Sequence, residues 1–561
     1  MRKLIECVPN FSEGNNLQVI QQITDTIETV EGVKLLNVDP GKATNRTVVT
    51  FVGEPEPVIE AAYLAIQKAS KLIDMSKHKG EHPRMGATDV CPLIPISGIT
   101  MEETAEYAQK LAKRVGEELK IPTYLYESAQ PNKGRSNLSV IRSGEYEGFF
   151  DKIQREEWKP DFGPAEMNTQ TGATCIGARD FLIAYNLNIN TKSSRIANRI
   201  AFDIREAGRV KREGNPISGP VVNDKNGEPV RIPGRLKHVK AIGWYIEEYG
   251  IAQISANLTN FRETPLHIVF EEASKSATER GARITGSELV GLVPLQCLTD
   301  AGKYFLEKQG LSSGVDEKTL VQIAIKSMGL DELSPFDPKN RVIEYMLENE
   351  SDSRLINMTL REFSNETASD SPAPGGGSIS ALAGALGASL GTMVANLSAG
   401  KRGWEDRVSE FSPWAAKGQK LKDELLTLVD EDTRAFDRIM GAFGLPKSTP
   451  EERAIRKNAI EEASQYATEI PYKTMQVAYS CIPLLKEMSE KGNPNSLSDV
   501  GVAVICIKTA VRGAWFNVLI NAKGLDDRKF ADKIVSDAKQ LLQKNHSECD
   551  IIANDIENRL M

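Results

Sequence analysis

Several residue types and patterns are scarce in this chain of 561 residues, and each scarcity argues against a class of protein. Cysteine occurs only seven times, an odd number, and never as a C-x-x-C pair. The cysteines therefore favour reduced core thiols in a cytosolic protein over a disulfide framework or a zinc site. Positive charge is not in excess either, since the net charge is −8, and this argues against a nucleic-acid surface.

Segments that would target or anchor the chain are also scarce. The N-terminal sequence MRKLIECVPNFSEG returns to polar residues before an apolar core forms, so we expect no secretory signal. Residues 378–400 carry no charge, but they are rich in Gly, Ser and Ala and contain Thr392 and Asn396. This composition favours a buried helix over a lipid-facing one, and we expect no membrane span.

The first part of the chain has an alternating α/β texture up to about residue 345. Amphipathic helices are predicted at Glu56–Lys71, Glu102–Leu119 and near Leu266–Arg280. The pattern restarts after residue 180, so we predict two tandem α/β sandwich subdomains, 1–180 and 181–346, with mixed sheets covered on one face. The predicted strands are Leu4–Val8, Val33–Val38, Thr47–Val52, Val90–Ile96, Thr123–Tyr126, Phe181–Ile189, Val239–Tyr245 and Ile251–Leu258.

Two stretches of unusual composition interrupt or end this pattern. Gly208–Lys237 is basic and rich in Gly and Pro, which predicts a surface hairpin or a mobile loop. The polar run ENESDSR at Glu348–Arg354 predicts a linker over residues 347–354.

After the linker, strand signals largely vanish, and an all-α helical bundle is predicted over 355–561. Gly384, Ala388 and Gly391 recur at three- and four-residue spacing, which permits close helix contact or a symmetric oligomer seam. The predicted helices are 378–399, 416–441, 450–470, 473–490, 498–522 and 527–547.

Histidine is rare, yet two of the five histidines lie in the stretch KHKGEHPRMG at residues 77–86. His82 follows a carboxylate and precedes a proline, and Lys79 and Arg84 are close in sequence. An imidazole exchanges protons near neutral pH, and glycines allow the backbone to approach a ligand. This combination predicts an active-site loop with His82 as acid–base group and Lys79 and Arg84 as further substrate contacts. The alternative is a surface loop that caps the preceding helix.

A second candidate is an acidic run in the helical half, LVDEDTRAFD. At helical spacing Asp432 falls on one stripe with Leu425, Val429, Phe436 and Met440, whereas Asp430 and Asp437 point to a more polar side. A desolvated aspartate has a raised pKa and can act as both acid and base. The alternative is an ion pair between Asp432 and an Arg or Lys of a neighbouring helix, and the catalytic carboxylate would then be sought at Asp430 or Asp499. Asp499 is also a predicted substrate contact.

A glycine-rich sequence, PGGGS at 374–378, leads into the first long helix of this half. Consecutive backbone amides at a helix N-terminus suit a carboxylate or phosphate, so Gly376 and Gly377 are predicted substrate contacts. The alternative is a flexible lead-in. The motif is not G-x-x-x-x-G-K-[ST], so no nucleotide site is predicted.

Longer motifs give the whole chain a family resemblance. ECVPNFSEG, NRTVVTFVG, LIDMSKHKGEHPRMGATDVCPLIPI, WKPDFGP, GAR and IGWY resemble glutamate formiminotransferase. PAPGGGS, LVDEDTRAF, GNPNSLSDV and FNVLIN resemble formiminotetrahydrofolate cyclodeaminase. Their order resembles the fused formiminotransferase-cyclodeaminase family.

The resemblance implies two successive reactions of histidine breakdown. The formimino group of N-formimino-L-glutamate passes to N5 of tetrahydrofolate, and ring closure then gives 5,10-methenyltetrahydrofolate and ammonia. His82 matches the family's transferase histidine and Asp432 its cyclodeaminase aspartate. The folate-binding stretch maps onto Gly163, Pro164, Ala165, Glu166, Met167, Asn168, Thr169, Gln170, Thr171 and Gly172. Ala165–Thr171 departs from the mammalian pattern, which favours backbone over side-chain contacts there.

The resemblance also implies the partners of the chain. Tetrahydrofolate is expected as a polyglutamylated co-substrate with no metal, in a cytoplasmic homo-oligomer built from dimers. Two rival functions stay open at this point. One is a folate enzyme of another type, a formyltransferase or a methenyltetrahydrofolate cyclohydrolase, and the other is a non-enzymatic scaffold.

Overall fold

The computed structural model describes residues 3–41, 45–79, 84–215, 218–347 and 355–561. Contacts divide the chain into two compact units that alternate along the sequence. The first contains the chain up to Pro294 and Lys339–Leu347, and the second contains Leu295–Pro338 and the C-terminal part up to Met561. The predicted linker lies outside the described residues except for Leu347, and the predicted domain bounds stay a prediction.

The first unit begins with seven strands that form one sheet. They are β1 Leu4–Cys7, β2 Asn10–Phe11, β3 Val33–Gly41, β4 Arg46–Gly53, β5 Thr88–Ser97, β6 Thr123–Glu127 and β7 Thr174–Ala178. Their order is β1-β4-β2-β5-β7-β6, and β3 pairs with β4. The sheet is mixed, as predicted, because β5 is antiparallel to β1 and β2 but parallel to β7.

Helices complete the core of this sheet. Ile66 and Leu111 from two of them are buried in one cluster with the strand residues Ile5 and Phe51. The helix starts follow local signals, since Pro55 occupies a first turn and Thr100 forms a capping box. The helices are α1 Leu17–Glu28, α2 Pro55–Leu72, α3 Met101–Glu118, α4 Leu138–Ile141 and α5 Glu145–Lys152.

The second sheet of this unit is smaller and has the order β11-β12-β8-β13. Its strands are β8 Ile183–Ile189, β11 Val239–Ile246, β12 Ile251–Leu258 and β13 Ile284–Val290, with helices α6 Ser194–Ile204 and α7 Leu266–Thr278. All of its pairings are antiparallel, so the prediction of a mixed sheet is wrong here. Along the chain, β8 and β11 run in one direction and β12 and β13 in the other. The connections through α6 and α7 each pass one intervening strand, so every strand has only antiparallel neighbours.

The basic excursion Gly208–Lys237 contains a hairpin, one of the two alternatives predicted for it. Strands β9 Arg209–Val210 and β10 Arg231–Ile232 pair antiparallel. The backbone of Val222 bonds Lys211 on one side and Val230 on the other, which extends the pairing towards the tip. Residues 216 and 217 lie outside the described residues.

Two helices that follow the second sheet belong to the second unit. They are α8 Leu295–Lys308 and α9 Glu317–Met328, whereas α10 Ile343–Leu347 belongs to the first. The turn between α8 and α9 is fixed by the Ser313 N–H, which donates to the Ser412 hydroxyl at 3.0 Å. A Cβ on Gly314 would overlap the Cβ of Ala415, so the backbones are in close contact. The alternating α/β pattern does not predict this association.

The remainder of the second unit is all α, which confirms the predicted fold class. The helices are α11 Leu360–Thr367, α12 Gly376–Ala399, α13 Val408–Gly444, α14 Pro450–Tyr479, α15 Ile482–Lys491, α16 Leu497–Lys523 and α17 Arg528–Leu560. Gly384 and Gly391 are buried against leucines of this same chain, Leu425 and Leu485. The small-residue spacing therefore serves close helix contact within the unit.

The predicted helix break near residue 471 is wrong, because Pro471 lies inside α14. A proline in a helix leaves the carbonyl four residues earlier without its donor. That carbonyl belongs to Ala467, and it accepts a hydrogen bond from Asn521 Nδ2 at 2.7 Å. A side chain of α16 therefore replaces the missing backbone donor, and α14 continues to Tyr479.

Two helices of the described residues are long and apolar enough to span a membrane. Gly376–Ala399 and Pro494–Lys523 each have a mean hydropathy of 1.5, and 61% and 39% of the respective windows is buried. The core helix of a soluble protein meets the same criteria, so these two helices are weak evidence for a span.

We predict that Gly314→Ala lowers the thermal stability of the second unit. The added methyl group would overlap Ala415, and overpacking of this kind costs about 1–3 kcal/mol. Gly441→Ala is the matched control, because Gly441 faces open space within α13 and alanine favours a helix by about 1 kcal/mol. Calorimetric unfolding of both variants checks the prediction. A melting temperature of Gly314→Ala equal to or above that of the wild type would refute the close contact of the α8–α9 turn with α13.

Candidate functional site

The histidine loop is described on both sides of its centre. Gly80, Glu81, His82 and Pro83 lie outside the described residues, so the role of His82 stays a prediction. Lys79 is exposed, and its carbonyl accepts a hydrogen bond from Asn45 Nδ2 at 2.9 Å.

Arg84, on the C-terminal side of the loop, is buried and ion-paired. Its Nη1 lies 3.0 Å from Glu145 and its Nη2 lies 2.7 Å from Glu147, both at the start of α5. The hydrogen bond from Arg84 lowers the pKa of Glu147. Because both carboxylates already engage the guanidinium, Arg84 anchors the loop, and a direct contact with substrate would require an exchange of partner.

The other histidine of the motif, His78, has both ring nitrogens in use. Its Nε2 lies 2.9 Å from the Asn45 carbonyl oxygen, and its Nδ1 accepts from Arg84 Nε at 3.3 Å. This pattern fits an imidazole protonated on Nε2 alone. His78 therefore helps to hold the loop, and it has no free nitrogen with which to replace His82.

The stretch assigned to folate lies directly beside this loop. The Ala87 N–H donates to the Thr171 carbonyl at 2.8 Å, and the Ala173 N–H donates to the Met85 carbonyl at 3.0 Å. Gly86 and Gly172 face each other in this pairing, and a Cβ on either one would overlap the opposite backbone. Two segments that are distant in sequence are thus brought together by backbone pairing that requires glycine.

Most of the 163–172 stretch is open to solvent. Met167, Thr171 and Gly172 are buried, Pro164 is partly buried, and the others are exposed: Gly163, Ala165, Glu166, Asn168, Thr169 and Gln170. Asn168 Oδ1 accepts from the N–H groups of Gln170 and Thr171, at 2.9 and 3.1 Å. The turn is therefore rigid and presents its surface beside the histidine loop.

A buried ion pair next to the C-terminal end of the histidine loop was not predicted from the sequence. Asp89 is 1% exposed, accepts the Met85 N–H at 3.0 Å and pairs with Arg142 at 2.5 Å. It fixes the chain where the histidine loop enters β5. The signal was present, since ATDVCPLIPI places one aspartate at the start of an apolar strand.

In the second unit Asp432 meets the N-terminus of α12. Its Oδ2 accepts the backbone N–H of Ser378 at 2.9 Å and lies 3.2 Å from the Ser378 hydroxyl, which also bonds the Val429 carbonyl at 2.8 Å. Among the described residues no cation pairs with Asp432, in contrast to the ion-pair alternative. Burial raises the pKa of Asp432, and the hydrogen bonds from Ser378 oppose this only in part.

The glycines ahead of Ser378 have a steric reason. A Cβ on Gly377 would overlap the Asp432 carboxylate. A Cβ on Gly376 would lie 3.5 Å from Nδ2 and 3.7 Å from Oδ1 of Asn517, an ordinary contact distance. The PGGGS sequence is therefore a backbone platform between an aspartate and an asparagine, and its flexible-lead-in alternative does not account for the contact at Gly377.

The predicted phase of α13 is partly wrong. Leu425 and Val429 are buried, but Phe436 and Met440 are 38% and 53% exposed. Asp430, predicted on the polar side, is only 5% exposed, and it accepts the Leu355 N–H at 2.8 Å. The segment before α11 covers this side of the helix, which a helical projection of α13 alone does not reveal. Asp430 is thus a buried structural acceptor, and burial raises its pKa too.

Glu431, in the same turn of α13 as Asp432, is a carboxylate that has a cationic partner. It accepts hydrogen bonds from the Tyr466 hydroxyl and from Arg434, whose Nη2 lies 2.6 Å away. Burial acts to raise the pKa of Glu431, but these hydrogen bonds outweigh it and lower the pKa. Glu431 is therefore held ionised, whereas its neighbour Asp432 is poised to carry a proton.

Asp499, the remaining predicted contact, lies in the first turn of α16. Asn517, which borders the glycine platform, is about 27 Å farther along the same helix. Asp499 is therefore remote from Asp432 within this unit, and its role as a substrate contact stays a prediction. No group of His, Cys, Asp and Glu that could hold a metal occurs among the described residues.

Comparisons with known proteins agree with this layout. The profile described as the formiminotransferase domain, N-terminal subdomain, matches residues 4–179, and the profile of the formiminotransferase domain matches residues 184–348. The profile described as formiminotransferase-cyclodeaminase matches residues 359–540.

Curated relatives cover the whole chain or one part of it. Formimidoyltransferase-cyclodeaminase of Mus musculus is 44% identical over 560 residues, which is 100% of both chains. Glutamate formimidoyltransferase of Streptococcus pyogenes serotype M1 is 39% identical and covers 55% of this chain and 94% of its own. Methenyltetrahydrofolate cyclohydrolase of Methylorubrum extorquens is 41% identical and covers 33% of this chain and 89% of its own. The chain belongs to the formiminotransferase-cyclodeaminase family.

Proposed function

We propose that this chain catalyses two consecutive reactions of folate-dependent histidine degradation. It transfers the formimino group of N-formimino-L-glutamate to N5 of tetrahydrofolate, which releases glutamate, and it then closes the ring to 5,10-methenyltetrahydrofolate with loss of ammonia. The observation that carries this function is Asp432, a carboxylate on a glycine platform whose pKa is raised and which has no cationic partner among the described residues. The full-length relatives named above support the pairing of the two activities in one chain.

In the transfer reaction His82 acts as general base and then as general acid. N5 of tetrahydrofolate attacks the amidine carbon and loses a proton, and the departing glutamate nitrogen gains one. One imidazole can serve both steps because its protonated and neutral forms are both accessible near neutral pH. The exposed surface of 163–172, paired to the loop through Gly86 and Gly172, supports a folate position beside His82.

In the ring closure Asp432 moves the proton. The formimino group reacts as its amidinium, so its nitrogen already carries two hydrogens. N10 attacks the formimino carbon and loses a proton, that proton passes to the former imino nitrogen, and the C–N bond breaks to release neutral ammonia. A carboxyl group with a raised pKa can accept this proton and then donate it. Ser378 fixes one oxygen of Asp432, so the other is available to the reacting nitrogens.

We also propose that the folate carries a polyglutamate tail. A cavity of about 350 Å³ at the start of α14 is lined by four cations, Lys447, Arg453, Arg456 and Lys457. The lining also contains Glu461 and Asp526, and Lys457 pairs with Asp526 at 3.0 Å. Arg453 and Arg456 are oriented by hydrogen bonds to backbone carbonyls, which leave their charge available, as does Lys447, for the carboxylates of such a tail.

The chain is further proposed to form a homo-oligomer built from dimers. Large apolar side chains are exposed on two neighbouring helices, with Leu386 on α12 and Val502, Ile505 and Ile520 on α16. An apolar surface of this kind is typical of an interface. A cytoplasmic location is proposed as well, because the seven cysteines are free thiols.

The main alternative is that the second unit hydrolyses methenyltetrahydrofolate instead of catalysing cyclodeamination. The methenyltetrahydrofolate cyclohydrolase of Methylorubrum extorquens matches this part at 41% identity. A cyclohydrolase opens the methenyl ring with water and releases no nitrogen. One ammonia per methenyltetrahydrofolate formed from 5-formiminotetrahydrofolate supports cyclodeamination, and methenyltetrahydrofolate hydrolysis without ammonia release contradicts it.

We predict that His82→Ala lowers the transfer rate by about two to four orders of magnitude, the usual contribution of a general acid–base group. Transfer is measured as glutamate release from formiminoglutamate, and ring closure from supplied 5-formiminotetrahydrofolate should continue. His78→Asn is the matched variant within the same loop, and it should cost mainly stability because His78 holds the backbone and Arg84. A wild-type transfer rate in His82→Ala would show that the assignment is wrong.

We predict that Asp432→Asn abolishes ring closure and leaves transfer intact, so that 5-formiminotetrahydrofolate accumulates. Asparagine keeps the shape and accepts the Ser378 N–H but exchanges no proton. In the wild type, ring closure should decline as pH falls through the raised pKa of Asp432, because the ionised form that accepts the N10 proton is then lost. Absorbance of methenyltetrahydrofolate follows the reaction, and Asp430→Asn with a greater loss of ring closure than Asp432→Asn would contradict this role.

A further inference from the structure

Asn517 and Asp432 lie beside neighbouring residues of the glycine platform, Asn517 beside Gly376 and Asp432 beside Gly377. The Asn517 carboxamide lies within ordinary contact distance of a Cβ built on Gly376, at 3.5 Å for Nδ2, and the Asp432 carboxylate occupies the Cβ position of Gly377. The Cα atoms of consecutive residues are about 3.8 Å apart. A ligand lying on the exposed Gly376 backbone would therefore meet both side chains.

The carboxamide of Asn517 is oriented by its own helix. Its Nδ2 donates to the Gly513 carbonyl at 3.0 Å. Ser380 supports this arrangement from α12, since its hydroxyl donates to the Gly376 carbonyl at 2.6 Å and fills the space where Gly513 lacks a side chain. Within the described residues, Oδ1 of Asn517 has no protein donor, and the residue is partly exposed.

Asn521, one turn farther along α16, gives a contrasting case. Its Nδ2 completes α14 by bonding the Ala467 carbonyl that Pro471 leaves free. This bond gives Asn521 a structural role that involves no substrate. The Gly513 carbonyl lies inside α16 and already accepts a backbone hydrogen bond of that helix. The additional bond from Asn517 therefore does not explain why this position is an asparagine.

We propose that Asn517 is a positioning residue of the ring-closure reaction, which presents Oδ1 to an N–H of the formimino group and holds its carbon between N10 and Asp432. This inference rests on the proposed function. With the formimino group in its amidinium form, the N10–C bond forms, the C–N bond to the leaving nitrogen breaks, and Asp432 carries the proton from N10 to that nitrogen, which leaves as neutral ammonia. Asn517 exchanges no proton, because a carboxamide is neutral throughout the pH range of the reaction.

The two atoms of the carboxamide allow a sharp test. Asn517→Leu removes the donor and the acceptor, whereas Asn517→Asp has nearly the same shape, keeps an acceptor oxygen and loses the donor to Gly513. If Asn517 positions the formimino group through Oδ1, kcat for ring closure falls roughly 100- to 1,000-fold in Asn517→Leu, as for loss of one oriented hydrogen bond. The same kcat falls by no more than about tenfold in Asn517→Asp, and KM changes little in either variant.

The experiment uses the full chain, supplied 5-formiminotetrahydrofolate, and the transfer rate and melting temperature of each variant as internal controls. Asn521→Leu is the matched control, and it should lower the melting temperature with little effect on kcat. Equal losses of kcat in Asn517→Leu and Asn517→Asp, or a wild-type kcat in Asn517→Leu, overturn the proposal. Asn517→Ala replaces Asn517→Leu if the larger side chain prevents folding.

The wild type is assayed first, because the two proposals fail in different ways. Without stoichiometric ammonia from the wild type, the proposed function itself is refuted. With ammonia from the wild type and an unaffected Asn517→Leu variant, only the role of Asn517 is refuted.

Discussion

The second unit depends on one constraint, the contact between the Asp432 carboxylate and the first turn of α12. Three features must coincide for it: a backbone N–H at Ser378, no side chain at Gly377, and an aspartate on α13 at the matching height. The contact holds the two helices together at the end where the chain enters the bundle. It also partly buries the carboxylate, which has no cationic partner in the part of the chain that the structure describes. Packing and chemistry are thus set by the same few atoms.

In the first unit, backbone pairing brings the segments of the candidate site together. Gly86 and Gly172 allow two segments to approach more closely than side chains permit, and Arg84 with two carboxylates closes the other side of the loop. Neither device contributes a group that reacts. Both position the described ends of the loop that carries the proposed acid–base residue His82.

Much of the fold and part of the site could be predicted from the sequence, and the failures have physical causes. Five of the seven strands of the first sheet, and helices such as α12 and α16, follow local periodicity and agree with the prediction to within three residues at each end. Strands β2 and β7 are not predicted, and α17 extends to Leu560 instead of ending at residue 547. The continuation of α14 through Pro471 depends on Asn521, a residue of another helix. The burial of Asp430 depends on the segment at Leu355. Ser378, Asn517 and Asp89 were missed as site residues because their meaning comes from partners that are remote in sequence.

The raised pKa of Asp432 also has a thermodynamic meaning. A carboxyl whose pKa is higher in the folded than in the unfolded chain opposes folding once it ionises. The penalty is absent at low pH, where both states are protonated, and it grows as pH rises above the unfolded value. At neutral pH the ionised carboxylate therefore lowers the folding stability of the bundle at the proposed reaction centre, as expected for a trade of stability for activity. A chain that lost the reaction would be free to become more stable at this position.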